Sequence, residues 1–202
     1  MKIMFFDTET GDKEAGKADI LQLSYQIIQY PGFKQVKQQN FYFKRERPAS
    51  PEAISVNGLT DDFLAQQVLT PRNVAIKEFL TDLAECTLLV AHCLEFDKGF
   101  IYHTCRRTHY TKRYNKVFGN LQTYDTMKET ADLCRLPFTA PRDYQKTSKY
   151  KYPRLYQLVD FLHIDRTDIN LHDSNSDVLL TVRCFTRLVE TGWINLAPLA
   201  PP

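Results

Sequence analysis

An apolar run near the start of the chain, Ile3-Met4-Phe5-Phe6, ends directly in Asp7-Thr8-Glu9, and twice more a carboxylate stands where one element stops and the next begins. Asp97 closes Ala91-His92-Cys93-Leu94-Glu95-Phe96-Asp97. In His172-Asp173-Ser174-Asn175-Ser176-Asp177 a histidine lies five residues ahead of an aspartate that opens an amphipathic helix. Strand ends and helix starts are where an α/β sheet gathers its functional groups, so this placement implies the α/β class. Residues i and i+2 of a strand face the same side, which sets the Asp7 and Glu9 carboxylates about 7 Å apart along one edge of the sheet. Such a pair can share two divalent cations. Two ions about 3.5–4 Å apart stabilise the attacking and leaving oxygens of an in-line displacement at phosphorus. Hard oxygen ligands favour two Mg2+, with Mn2+ as a substitute, over zinc. Asp97 and Asp177 complete the metal cage. His172, just outside the last helix, is placed to be the catalytic general base, since a histidine ordinarily titrates near working pH. Together these groups imply two-metal hydrolysis of phosphodiesters.

The 202 residues, 43% of them hydrophobic, suffice for one buried core. Residues 1–190 are expected to form one domain, and 191–202 a frayed C-terminal tail. Residues 2–6, 20–30 and 40–44 read as strands, the last two joined through Pro31-Gly32, and their spacing implies a three-stranded antiparallel meander. Thr70 is the expected N-cap of a helix with Pro71 at its first position and Ile76, Phe79, Leu80 and Leu83 on one face. Residues 87–91 form a continuous apolar run suited to a buried parallel strand, followed by a helix over 95–107. A fifth strand is expected at 121–124, and helices at 126–135, 153–162 and 174–190. Segments 107–119 and 138–152 are weakly patterned and read as exposed loops.

Lysine and arginine number 26 against 24 acidic residues, so a nucleic-acid partner must be argued from local charge. Two segments supply it, Arg106 to Lys116 and Lys146 to Tyr152, where cations alternate with aromatics as they do where phosphates are held and bases stack. Five cysteines without a C-x-x-C pair suit free thiols in a reducing compartment. No apolar stretch approaches the roughly 20 residues of a membrane span, and the N-terminal run is too short for a signal core. A cytoplasmic protein without membrane association is expected.

The residues also carry a resemblance. Phe5-Phe6-Asp7-Thr8-Glu9-Thr10-Gly11, the segment from Ala91 to Asp97, and His172 with Asp177 resemble the three motifs of the DEDDh 3′→5′ exonucleases, the superfamily of the epsilon proofreading subunit of bacterial DNA polymerase III. Pro51 to Leu64 is similar to the epsilon-like stretch between the first two motifs. This resemblance, over nearly the whole chain, implies a ribonuclease-H-like fold with a mixed five-stranded sheet flanked by helices, and two magnesium ions. It implies Asp7, Glu9, Asp97 and Asp177 as metal ligands, His172 as base, and Thr10, Glu52 and Asn57 as contacts to the terminal nucleotide. The chain departs from the pattern in a Thr10-Gly11 loop one residue shorter than usual, in Asn57 for a histidine, and in Cys93 for an asparagine. The expected activity is removal of nucleoside 5′-monophosphates from a single-stranded 3′ end, DNA favoured over RNA, in proofreading or repair, with a polymerase as possible partner. An RNA-trimming exonuclease of the same superfamily and a catalytically silent nucleic-acid-binding module stand as alternatives.

Overall fold

The computed structural model describes residues 1–138, 148–167, 169 and 172–199. Five strands form one sheet: β1 (Lys2–Thr10), β2 (Ile20–Gln29), β3 (Lys34–Tyr42), β4 (Leu88–Ala91) and β5 (Gln122–Asp125), in the order β3-β2-β1-β4-β5. The first three strands pair antiparallel as a meander, whereas β4 joins β1 in parallel and β5 joins β4 in parallel. The sheet is therefore mixed and five-stranded. Helices lie on both sides: α1 (Pro51–Asn57), α2 (Asp61–Ala65), α3 (Arg72–Leu83), α4 (Leu94–Arg107), α5 (Thr111–Phe118), α6 (Thr126–Glu129), α7 (Ala131–Cys134), α8 (Leu155–Phe161) and α9 (Ser174–Glu190).

The period-2 alternation of β1 sorts its side chains between two cores. Met4 and Phe6 join Leu23, Tyr25 and Ile27 beneath Ile76, Phe79, Phe100 and Ile101 of α3 and α4. Ile3 and Phe5 join Leu88 and Val90 beneath Leu158, Val178 and Phe185 of α8 and α9, with the Phe5 and Phe185 rings edge to face at 5.3 Å. Each such aromatic or aliphatic side chain, fully buried, contributes about 1.5–3 kcal/mol. Asp7 and Glu9 continue the row of Ile3 and Phe5, so the alternation that builds the second core also carries both carboxylates toward the start of α9.

Several boundaries differ from expectation for definite reasons. Strand β1 continues through Thr10, so Asp7 and Glu9 are paired strand residues opposite Ser24 and Gln22. The third strand is Lys34–Tyr42 rather than 40–44: it is a polar edge strand, and its pairing with β2 holds it where an apolar pattern is lacking. Thr70 does not cap α3; its N–H donates to the Tyr42 carbonyl at 2.9 Å, and Pro71 occupies the cap without a side-chain hydrogen bond. The segment 126–135 breaks into α6 and α7 at Thr130, whose hydroxyl donates back to the Thr126 carbonyl at 2.7 Å. Segment 107–119 is not a loop, because α5 packs through Tyr114, stacked on Phe118 at 4.2 Å and edge-on to Tyr102 at 5.3 Å. Helices α1 and α2 were not expected; each is started by a hydroxyl cap, Ser50 accepting from the Ala53 N–H and Thr60 from that of Phe63. Ile194 and Leu196, within the expected tail, are buried in the second core. Most of the loop expected at 138–152 lies outside the described residues. No described helix is long and apolar enough to cross a membrane, and all five cysteines are free.

Candidate active site and metal centre

Three pieces of chain meet at the end of β1. The first is β1 itself, presenting Asp7 and Glu9. The second is the start of α4, where the buried Asp97 accepts two hydrogen bonds from Thr8, from its hydroxyl at 2.6 Å and its backbone N–H at 3.1 Å. A turn with Cys93 in the left-handed region, φ 79°, sets the angle at which α4 leaves β4. Asp125, at the end of β5, braces that turn by accepting the backbone N–H groups of Cys93 at 3.2 Å and Leu94 at 3.1 Å. The same carboxylate caps α6 through the N–H groups of Met127 and Lys128.

The third piece is the start of α9. Asp173 caps this helix, accepting from the N–H of Ser176 at 3.0 Å. Its other oxygen accepts from Gln22 Nε2 at 2.7 Å, while Gln22 Oε1 accepts from the Ser174 N–H at 3.3 Å and the Ser24 and Ser174 hydroxyls lie 2.6 Å apart. Because Gln22 and Ser24 pair in register with Glu9 and Asp7, this latch fastens the helix directly beside the two β1 carboxylates. Donor atoms of Glu9, His172 and Asp177 consequently lie within 4.8 Å of one another. Asp7 shares a cavity of about 270 Å³ with Asp177, His172, His92, Arg154 and Tyr156. The structure thus brings together Asp7, Glu9, Asp97, Asp177 and His172.

Burial and like charge dominate the electrostatics of this cluster. Burial raises all four acids, Asp7 well above the usual carboxylate range, Glu9 and Asp97 to about 8 and Asp177 to about 7. Mutual repulsion adds to burial: Asp97, Glu9 and Asp177 act on Asp7, and Asp177 and Asp97 act on Glu9. Hydrogen bonds from Thr8 to Asp97, and from the His172 backbone to Asp177, oppose the rise without cancelling it. Among the described residues no lysine or arginine forms a salt bridge with any of the four. Asp177 Oδ1 is buried without a hydrogen-bond partner. Buried carboxylate oxygens that lack both donors and countercharge fit hard divalent cations, and the donor set suits magnesium or manganese.

A second cavity, of about 230 Å³, adjoins the cluster, and Glu9, Glu52, Val56, Asn57 and Phe96 are among its walls. Glu52 stands exposed in the first turn of α1. Asn57 is already engaged: it hydrogen-bonds Glu9, donates to the Thr10 carbonyl at 3.1 Å and accepts from the Leu59 N–H at 3.0 Å. Thr10 lines the cavity, but its hydroxyl donates to the Asp12 carbonyl at 2.8 Å. In the short loop that follows, a Cβ on Gly11 would lie 3.3 Å from that of Ala49, so the close approach of these segments suits glycine. Gln22, Ser24 and Asp125 were missed by sequence reasoning. Only Asp125 carried a signal, an aspartate before a helix start; Gln22 and Ser24 are polar residues in an apolar strand whose role depends on what packs above them.

A mixed five-stranded sheet with helices on both sides, carrying four carboxylates at the meeting of β1, α4 and α9, defines a ribonuclease-H-like exonuclease fold. The RNase_T exonuclease model matches residues 4–185, and the chain belongs to this exonuclease family, within the DEDDh superfamily. DNA polymerase III subunit epsilon of Haemophilus influenzae is 26% identical over 159 residues, covering 78% of this chain and 53% of that protein. The chain thus spans about half the length of that relative. Among solved structures, a zinc-bound complex of E. coli exonuclease I with single-stranded DNA superposes with a TM-score of 0.74 at 17% identity, over 95% of this chain and 40% of the other. Exonuclease I of Methylocaldum szegediense gives 0.73 at 16% identity, over 94% and 40%. These likenesses establish the shared fold.

Proposed function

We propose that the chain is a divalent-metal-dependent 3′→5′ exonuclease that removes nucleoside 5′-monophosphates from DNA 3′ ends, in proofreading or repair. The observation that carries this reading is the convergence of four carboxylates without countercharge, one with a buried, unpartnered oxygen, beside an exposed histidine. Asp7, Glu9, Asp97 and Asp177 would hold two magnesium ions, which when bound supply Lewis-acid stabilisation of the attacking and leaving oxygens. Thr8 fixes the Asp97 carboxylate, and the latch from Gln22 and Ser24 to the start of α9 fixes Asp177 relative to Glu9. His172 stands at the rim with an imidazole nitrogen free to take a proton from the attacking water as general base. The 230 Å³ cavity beside Glu9 takes the terminal nucleoside, with the Phe96 and Val56 side chains offering apolar surface and Glu52 and Asn57 offering polar contacts. The epsilon relative's polymerase association supports a polymerase partner for this chain.

The direct test incubates the protein in magnesium with linear and circular single strands of DNA, and with linear RNA of matched sequence, each linear strand labelled at its 5′ end. A ladder shortening stepwise from the 3′ end, faster on DNA than on RNA, with the circle intact, is the expected result. Digestion of the circle, or early release of the 5′ label as a mononucleotide, overturns the polarity; faster loss of RNA turns the assignment toward RNA trimming.

A further inference from the structure

A third cavity, of about 270 Å³ and away from the metal-site carboxylates, is lined by Gly16, Arg47, His103, Arg106 and Arg107. Two of its lining arginines, Arg47 and Arg107, pair with Asp19, which is 1% exposed. Burial works to raise this carboxyl, but hydrogen bonds from Arg107 at 2.5 Å and from the Glu46 and Arg47 backbone N–H groups at 2.8 Å hold it below its ordinary range. Arg72 also faces Asp19, at 3.5 Å, and pairs with Glu46 at 2.9 Å. Three guanidinium groups, of Arg47, Arg72 and Arg107, therefore meet two carboxylates, and with Arg106 beside them the cluster is left cationic. Arg107 Nε is buried without a hydrogen-bond partner, and Arg106 is exposed at the wall with no ion pair among the described residues. Asp19 thus anchors Arg107 and fixes the shape of the cavity, and Arg106 is left available.

The same three segments line this cavity and the 230 Å³ cavity beside Glu9. The β1–β2 loop contributes Asp12 and Lys13 to one and Gly16 to the other; the stretch before α1 contributes Ser50 and Arg47; helix α4 contributes Phe96 and then His103, Arg106 and Arg107. At 1.5 Å per residue along α4, Phe96 and the last turn are separated by about 10–16 Å. A stacked strand advances about 3.4 Å per phosphate, so this span corresponds to roughly three to five nucleotides.

We propose that the Arg47–Arg106–Arg107 cavity is a phosphate subsite for the single strand whose end occupies the active site, gripping a backbone phosphate about three to five nucleotides upstream of the bond to be cut. The assignment rests on the exonuclease reading for its register and on the arginine cavity for its chemistry. Guanidinium forks match phosphate oxygens in pairs, and the partly buried setting limits screening by salt.

The test is equilibrium binding of fluorescent single-stranded DNA in EDTA, where turnover is not required, using oligonucleotides of roughly 12 and roughly 3 nucleotides that bracket the span. Arg106→Glu should weaken the longer strand about tenfold and the shorter one less than twofold, with Arg106→Lys, which keeps the charge without the fork, intermediate. The slope of log affinity against log salt for the long strand should fall by about 0.7. Thermal unfolding checks that the variant is folded, and Arg106→Gln replaces it should the charge reversal prevent folding. Equal losses at both lengths, or none, overturn the subsite. So does stoichiometric binding of inorganic phosphate at this cavity without any dependence on strand length, which assigns it to a free anion. If the protein proves inactive yet shows the length-dependent loss, the groove stands and the exonuclease reading fails; normal 3′ digestion with unchanged binding gives the converse.

Discussion

Asp7 lies in the row of side chains that begins with Ile3 and Phe5, but it faces the cavity shared with His172 and Asp177. Its carboxylate is repelled by Asp97, Glu9 and Asp177. Asp7→Asn should therefore abolish hydrolysis while leaving the metal-free protein folded and slightly more stable at pH 8, which rate assays and thermal unfolding in EDTA will read. Appreciable turnover by the folded variant ends the two-metal reading. His172→Ala should slow hydrolysis by about 10²–10⁴-fold, the usual contribution of a positioned base, with magnesium affinity little changed. A loss confined to metal affinity would instead make His172 a ligand. Cys93 holds a left-handed backbone that asparagine tolerates better than other side chains, because its short amide bonds locally. Cys93→Asn should stabilise the protein by about 1 kcal/mol, or roughly 2–4 °C in Tm, without altering the carboxylates. A lowered Tm would show that the thiol's packing outweighs the backbone preference.

At the level of elements, the site depends on how α9 docks. Gln22 is fully buried and supplies both halves of a bridge to Asp173 and Ser174. Replacing it with methionine preserves volume but leaves the Ser174 N–H and one Asp173 oxygen short of a partner. The expected cost is about 1–3 kcal/mol in denaturant unfolding. Displacement of His172 and Asp177 by as little as about 1 Å should lower kcat by up to 10²-fold; unchanged kcat would mean that the helix is held by its apolar face alone. This dependence explains what the sequence disclosed and what it withheld. Helix α9 could be read to the residue because Asp173 caps it and Val178, Phe185 and Val189 recur on its apolar side. Edge strand β3 could not, since it offers Lys, Gln and Asn and owes its shape to pairing with β2. Helix α5 was hidden because its packing is made by tyrosines among cations, Tyr114 above all, which read equally well as a stacking loop. The five acid and imidazole positions were legible from chemistry and order along the chain. The amides and hydroxyls that aim them were not, because nothing local marks Gln22 as the partner of a residue 151 positions away.

For the molecule as a whole, the carboxylate cluster ties stability to both pH and metal. In the folded chain Glu9 and Asp97 titrate near 8 and Asp177 near 7, against ordinary values of 4.5 for Glu and 3.8 for Asp. Between those limits the folded protein retains protons that the unfolded chain has released. Raising the pH therefore favours unfolding, and the stability of the metal-free protein should decline from about pH 4 to about pH 8. Divalent cations should reverse the trend, because on the proposed reading they would bind the ionised carboxylates of the folded state and would have to displace the retained protons at low pH. At roughly 100 times its Kd, magnesium adds about 2.7 kcal/mol, which for a chain of this size is about 5–10 °C in Tm. Thermal unfolding in EDTA and in magnesium, at pH 6 and pH 8, should show the larger metal-dependent rise at pH 8. In Asp7→Asn both the alkaline decline and the magnesium rise should shrink together, since one substitution removes a repelling charge and a ligand at once. A metal-dependent rise of equal size at both pH values, or one that survives intact in Asp7→Asn, would place the cation elsewhere on the protein and detach the acidic cluster from metal binding.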